Sequence, residues 1–368
     1  MKYITIRKTK GNAGEVYYPL ELCDATIPTP QRGEVLVRIF AAALNHRDVF
    51  IRRNMYPGTT FGVPLLADGA GIVTEVGEGV DSSWLQKHVI LNPGLGWITS
   101  PSGPEVSDGW YSLLGGTKYY KKGTLAEYLT IRDDQLEVIP QHLSAAEAAA
   151  LPVTGLTAWR ALVSKAGENN SRNGANVLIT GIGGGVALMA LMFAVARGCN
   201  VWVTSSHGHK IEEAKRLGAR GGMNYKEKDW ESKLVRALPQ ERPKFDAIID
   251  GAGGNIVEKS VTLLKAGGQL VIYGMTQAPR MDFTMKAVLK NIEVKGSTMG
   301  SREEFRDMVK FVSTEGLRPI VSKVVGDIEN LAEIEGLFED MKSGNQFGKL
   351  VITVQRRISS QDIGNSKL

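Results

Sequence analysis

The 368-residue sequence predicts an α/β protein: a β-rich first part, then a doubly wound parallel sheet with helices on both faces. Three observations predict it. Up to about residue 140, short runs alternate apolar and polar residues and are broken by Gly and Pro. From about residue 145, continuous apolar strands alternate with helices, the pattern of a parallel sheet covered on both sides. Between one such strand and the next helix lies a glycine cluster, Gly181-Ile-Gly-Gly-Gly-Val-Ala187.

Taken in order, Met1-Lys-Tyr-Ile-Thr-Ile reads as a short strand without the apolar core or cleavage site of a signal peptide. Glu34–Phe40 alternates with period two, and Asp68–Val76 continues in that style. Ser144 followed by Glu147 is a capping box that opens an Ala-rich helix. Buried strands are then expected at Asn176–Thr180, Asn200–Thr204, Phe245–Asp250, Gly268–Tyr273 and Ile292–Gly296, and helices at Val186–Arg197 and His209–Leu217. Beyond residue 300 the pattern gives one amphipathic helix, Arg302–Thr314, and a last strand, Gly348–Thr353.

Composition narrows the function. With 43% hydrophobic and 23% charged residues the chain can bury two cores, and no run approaches the ~20 apolar residues of a membrane span. The net charge of +5 is spread among nearly as many acids as bases, and Lys118-Tyr-Tyr-Lys-Lys122 reads as a solvated loop. Nucleic-acid and membrane partners are therefore not expected. Two distant cysteines, Cys23 and Cys199, form neither a disulfide framework nor a metal spacing, which suits a reducing compartment.

The glycine cluster carries the strongest functional signal. A strand–glycine–helix junction lets the backbone turn tightly against a diphosphate, whose charge meets the N–H groups that open the helix. Gly181, Gly183, Gly184, Gly185 and Val186 are accordingly the expected dinucleotide contacts. NAD binders place an acid at the end of the second strand, on the ribose hydroxyls. Here that segment is Val203-Thr-Ser-Ser-His-Gly-His-Lys210, with no carboxylate. Ser205, Ser206 and Lys210 accept a 2′-phosphate instead, so the expected cofactor is NADPH.

At this point the chain resembles the zinc-free, quinone-oxidoreductase-like branch of the medium-chain dehydrogenase/reductase superfamily. Ala149-Ala-Leu-Pro-Val-Thr-Gly-Leu-Thr-Ala-Trp-Arg-Ala-Leu162 is similar to the helix preceding its cofactor domain, and Gly181-x-x-Gly184-x-x-Ala187 to its glycine turn. Asn45-His-Arg-Asp48, with Arg52 and Tyr56 following, resembles its first active-site segment, and Asn345–Val351 its closing strand. The similarity runs in order through nearly all of residues 1–355. It implies a GroES-like catalytic domain made of residues 1–145 and 300–368, and a Rossmann domain at 146–299.

Zinc-dependent relatives carry a cysteine at the position of Asn45, a His-Glu pair at Ala67-Asp68, and a third ligand near Val153. None of those ligands is present, and residues 92–123 hold no cysteine for a structural zinc, so no metal is expected. Without a Lewis acid, the expected chemistry is hydride transfer to quinones or α,β-unsaturated carbonyls. A zinc-free alcohol or aldehyde oxidoreductase, and an NADPH-binding structural or regulatory protein, stand as alternatives. The resemblance implies that Asn45 and Thr154 lie near the nicotinamide and Tyr225 near the 2′-phosphate. It places Gly251, Gly274 and Lys349 along the cofactor channel. Tyr56 is the expected substrate-side hydroxyl. His46 reads equally as a general acid or as part of a cluster with Arg47 and Asp48. Trp97, Trp110 and Tyr111 are candidates for the substrate mouth or for loop packing. Relatives pair cofactor sheets edge to edge, which implies a homodimer through Ile292–Gly296. The closing Ser366-Lys367-Leu368 matches the address read by the peroxisomal import receptor, with a cytoplasmic protein as the alternative.

Overall fold

The computed structural model describes residues 1–105, 111–276 and 280–354. Trp110 and Ser366-Lys367-Leu368 lie outside the described residues. The chain divides into two compact units, the first comprising residues 1–98, 104–153 and 320 onward, the second residues 99–103 and 154–319.

The first unit begins with β1 (Lys2–Ile6), β2 (Leu20–Asp24) and β3 (Glu34–Ala43), then helix α1 (His46–Arg52) and β4 (Asp68–Val76). β5 (His88–Leu91), β6 (Gly94–Leu95), β7 (Ser112–Leu113), β8 (Tyr128–Arg132), β9 (Leu136–Val138) and helix α2 (Ala145–Ala149) follow. β3 pairs antiparallel with β4 on one edge, and Val35, Val37, Ile39 and Ala41 on one face are fully buried. The alternation read from the sequence is seen from Val37 to Ala41, where Arg38 and Phe40 are less buried than their neighbours; Leu36, Ala42 and Ala43 are buried too, and the pairing with β4 shifts register between Ile39 and Ala41. At the start of α2, Ser144 accepts the Glu147 backbone N–H while Glu147 Oε2 accepts that of Ser144, the capping box foreseen.

The second unit is an all-parallel sheet. Helix α3 (Pro152–Trp159) runs into a π-helical turn at Arg160–Lys165 and a short α4 (Glu168–Ser171). Then come β10 (Asn176–Ile179), α5 (Gly185–Ala196), β11 (Asn200–Ser205), α6 (Gly208–Arg216), β12 (Gly221–Asn224) and α7 (Trp230–Ala237). β13 (Phe245–Asp250), α8 (Ile256–Leu263), β14 (Leu264–Ile272), α9 (Met285–Leu289), β15 (Glu293–Gly296) and α10 (Arg302–Glu315) complete it. The strand order is β12-β11-β10-β13-β14-β15. The order reverses at β10, and in such sheets the ligand crevice lies beyond the strand ends at that reversal. The glycine cluster follows β10.

The first unit closes with β16 (Val321–Gly326), helix α11 (Leu331–Ser343) and β17 (Lys349–Thr353). Its main sheet runs β16-β17-β3-β4-β5-β9, with β8 also on β3.

Three expectations are corrected. The domain boundaries move from 145 and 300 to 153 and 320, because α10 belongs to the second unit. Phe311 of α10 packs on Trp159 and Phe193 with ring centres 5.1 and 6.0 Å away, and Glu304 forms a bidentate pair with the buried Arg160. The sequence reading also gave one helix beyond residue 300, and the described residues there form two. α11 carries Ile334, Leu337, Phe338 and Met341 as its buried stripe, opens where Asn330 accepts the Glu333 N–H, and stops at Gly344 with φ +68°. The "solvated" Lys122 is half-buried, bonded to Glu34 at 2.7 Å and Thr130 at 2.9 Å.

Candidate active site

In the first unit, antiparallel pairing of β17 and β4 on the two sides of β3 brings Lys349 and Asp68 beside Leu44 and Asn45. The Lys349 ammonium donates to Leu44 O at 2.6 Å, Asn45 Oδ1 at 2.7 Å and Asp68 Oδ2 at 2.7 Å. Asn45 Nδ2 donates to Asp68 Oδ2 at 2.8 Å, and the Val153 backbone N–H donates to Asp68 Oδ1 at 2.7 Å. Asp68 is fully buried, and Lys349 and Asn45 nearly so. A lone buried charge costs several kcal/mol, so each member of this cluster requires the others.

The resemblance places Lys349 along the cofactor channel, and in the structure its ammonium is committed to these three oxygens. An ammonium has three donors, and all three are taken inside the first unit. Its work is to hold Asp68 and to fix the orientation of the Asn45 amide.

Asn45 also sits at the N-cap of α1, where its backbone N–H donates to Asp48 Oδ2 at 2.8 Å. Arg47 reaches Asp48 at 3.3 Å, donates to Leu114 O and Gly115 O, both at 2.9 Å, and stacks on the Tyr56 ring at 4.6 Å. Tyr56 is half-buried beneath that guanidinium. His46 stands apart from the Arg47–Asp48 cluster and packs edge-on to Phe50 at 5.0 Å. Trp97 is buried against Tyr111, which makes it a packing residue.

Burial pushes the Asp48 carboxyl up to about 6, against the opposing pull of Arg47 and the Asn45 N–H. The native state therefore holds this proton more tightly than the unfolded chain. The stability it contributes is complete below the unfolded value, 3.8, and is lost as pH rises through about 6. Asp48→Asn, which cannot titrate, is expected to flatten the fall in unfolding free energy over that window. Urea denaturation across the same pH series checks it, and an unchanged slope would contradict it.

The Asn45, Ala67, Asp68 and Val153 cluster does not fit a zinc ion. Zinc needs thiolate, imidazole or carboxylate ligands around an open position. Here the side chains are an amide, a methyl, an isopropyl and a carboxylate already neutralised by Lys349. Among the described residues no group of three or more His, Cys, Asp or Glu is placed to hold a metal.

In the second unit, Gly181 and Gly183 take φ +65° and +116°, and Gly184 is the N-cap of α5. A Cβ on Gly183 would lie 2.9 Å from Lys210 Cδ and 3.3 Å from its Nζ. The lysine thus folds over the glycine turn, and burial lowers its pKa. Ser205 Oγ accepts the His207 backbone N–H at 3.2 Å, and the Ser206 hydroxyl lies 2.9 Å from His207 Nδ1. Tyr225 packs half-buried against the hydrophobic cluster around β13 and β14, its N–H bonded to Ser205 O. Gly251 and Gly274 sit side by side: a Cβ on Gly274 would be 3.2 Å from Gly251 O, and one on Gly251 would strike the Tyr273 ring. Thr154 is buried.

Sequence reasoning missed Asp250, which accepts Thr180 Oγ1 at 2.5 Å and the Gly253 N–H at 2.7 Å and so ties the ends of β10 and β13. It also missed the pairing of Asp68 with Lys349. The available signal was a carboxylate opening one apolar strand and a lysine opening another, since opposite charges in such strands must meet.

Fold and site together define an NAD(P)-dependent oxidoreductase. Residues 31–141 match the alcohol dehydrogenase GroES-like domain, and residues 185–314 the zinc-binding dehydrogenase domain. The chain is 48% identical over 356 residues to a "Zinc-type alcohol dehydrogenase-like protein YogA" of Leptosphaeria maculans, covering 95% of this chain and 99% of that one. It is 30% identical to an alcohol dehydrogenase of Geobacillus stearothermophilus, covering 91% and 96%. A crystal structure of an NAD-dependent alcohol dehydrogenase superposes with a TM-score of 0.82 at 31% identity, covering 96% of this chain and all of that one. The chain belongs to the medium-chain dehydrogenase/reductase superfamily.

Proposed function

We propose that this protein is a zinc-independent, NADPH-dependent reductase of quinones or α,β-unsaturated carbonyls. The observation that carries the reading is the Lys349 ammonium seated on Asp68 and Asn45, where zinc-dependent relatives assemble metal ligands. Bound NADPH supplies a hydride to the electron-poor carbon. The glycine turn offers the first N–H groups of α5 to the diphosphate. Ser205, Ser206 and Lys210 offer two hydroxyls and a cation to a 2′-phosphate, with no carboxylate in that segment to repel it.

On the substrate side, Asn45 is the residue assigned to the carbonyl oxygen. One Nδ2 proton is committed to Asp68, while Lys349 holds Oδ1 and so fixes which way the amide faces. The second Nδ2 proton is the donor for charge developing on oxygen, the kind of contact worth about 10²–10³ in rate. Solvent completes the reduction with a proton. Tyr56, clamped beneath Arg47, shapes the approach.

A second reading has one observation in its favour: curated relatives carry the name alcohol dehydrogenase. Turnover of an enone beside its saturated ketone, each with NADPH and with NADH, separates the two. The expected result is enone reduction with NADPH; ketone turnover alone would sink the proposal. We further propose a homodimer through β15. β15 is the edge strand of its sheet, and Val294 on it, like Met285 and Leu289 on the preceding α9, is an exposed apolar side chain. Light scattering should give twice the chain mass; a monomer at micromolar concentration would refute it.

A further inference from the structure

Two glycine-rich loops leave the ends of the two central strands of the second unit. One is the turn at residues 181–185 after β10, and the other, residues 251–254, follows β13. Gly253 and Gly254 take φ +75° and +67°, a backbone that residues with a Cβ rarely adopt. The strand order β12-β11-β10-β13-β14-β15 is that of two mononucleotide-binding halves meeting between β10 and β13. A dinucleotide laid across that meeting point puts its adenosine half over the first, where the glycine turn and Ser205 lie. Its nicotinamide half falls over the second.

The two loops are held differently. The glycine turn is fixed through its backbone, since the Thr180 N–H donates to Ile249 O at 3.1 Å and the Ile182 N–H to Thr204 O at 2.9 Å. The second loop is tied towards β14, where the Thr276 N–H donates to Gly251 O at 3.3 Å. On the β10 side its bond is made by a side chain. The Gly253 N–H donates to Asp250 Oδ2 at 2.7 Å, and Asp250 Oδ1 accepts from Thr180 Oγ1 at 2.5 Å. Asp250 thus joins the residue immediately before one glycine loop to Gly253 in the other.

Stability alone does not favour this carboxyl. It is 1% exposed, and among the described residues no cation pairs with it. Burial pushes it above the ordinary carboxylate range, against the pull of the Thr180, Gly253 and Ala252 donors. A buried acid without a cation is costly, so its placement at the meeting of the two halves calls for another reason. We propose that Asp250 is a positioning residue for the cofactor: it holds the loop at 251–254 in register with the glycine turn, so that both halves of the dinucleotide are received at the correct separation. The role applies to NADH and NADPH alike, and so stands apart from the choice of cofactor and of hydride acceptor.

Calorimetric titration of the full chain compares NADH and NADPH with ADP, which carries only the adenosine and diphosphate. Asp250→Ala is expected to weaken the preferred dinucleotide roughly tenfold, the effect of a lost buried hydrogen-bond link, and to leave ADP unchanged. Asp250→Asn can accept the Gly253 N–H through Oδ1 and donate to Thr180 Oγ1 through Nδ2, so it should restore dinucleotide affinity. Thr180→Val breaks one end of the link with a side chain of nearly the same shape, and tests it even if Asp250→Ala does not fold. It should cost about threefold, again for the dinucleotide alone. Equal losses for ADP and dinucleotide, an Asp250→Asn protein as weak as Asp250→Ala, or full dinucleotide affinity in Thr180→Val would each overturn the proposal.

Discussion

Lys349→Met is expected to destabilise the first unit by about 3–5 kcal/mol, the cost of leaving a buried carboxylate without its cation. Asp68 is fully buried, and its remaining donors would be the Asn45 amide at 2.8 Å and the Val153 N–H at 2.7 Å. Two neutral donors do not replace an ammonium at 2.7 Å. The amide of Asn45 would also lose the bond that fixes Oδ1, so turnover should fall along with stability. Asp68→Asn alone is expected to cost a similar amount, since it strands the lysine. The double variant removes both charges and should cost clearly less than the sum, with a coupling of about 2 kcal/mol or more. Urea denaturation of the four proteins measures this cycle. Additive losses would show that the two charges do not depend on each other, and the assignment of Lys349 as a positioning residue would fall.

What could be read from the sequence follows from distance along the chain. The glycine turn, its strand and its helix occupy consecutive residues, so a local pattern suffices to find them, and β10 and α5 were located within a residue or two. The Asn45–Asp48 cap is also local. Asp68 and Lys349, by contrast, are 281 residues apart and meet because β17 and β4 flank β3. No periodicity within one strand reports its neighbour in a sheet. The misplaced boundary at residue 300 has the same origin: the stripe on α10 shows that a face is buried, while Trp159 and Phe193 decide where. α11 is a different case, since its Asn330 cap and Gly344 stop are themselves local signals.

The same contrast between local and distant contacts sets up the second large effect. Gly183→Ala is expected to weaken dinucleotide binding by about two orders of magnitude. Backbone strain is the first cause: φ at Gly183 is +116°, a region that costs a residue with a Cβ about 1–3 kcal/mol. The second is steric, because the new methyl would sit 2.9 Å from Lys210 Cδ and push that side chain off the turn. The two causes can be separated by cofactor. Strain in the turn affects any diphosphate, so NADH and NADPH should suffer alike from it. Displacement of Lys210 harms only a ligand with a 2′-phosphate. The proposal of NADPH therefore predicts a greater loss for NADPH than for NADH in Gly183→Ala. Lys210→Ala, which leaves the turn unstrained, should reproduce just that differential part. Calorimetric titration of both cofactors against the three proteins gives the comparison. Equal losses in Gly183→Ala, with no change of preference in Lys210→Ala, would remove the lysine from the 2′-phosphate site and leave the choice of cofactor to Ser205 and Ser206.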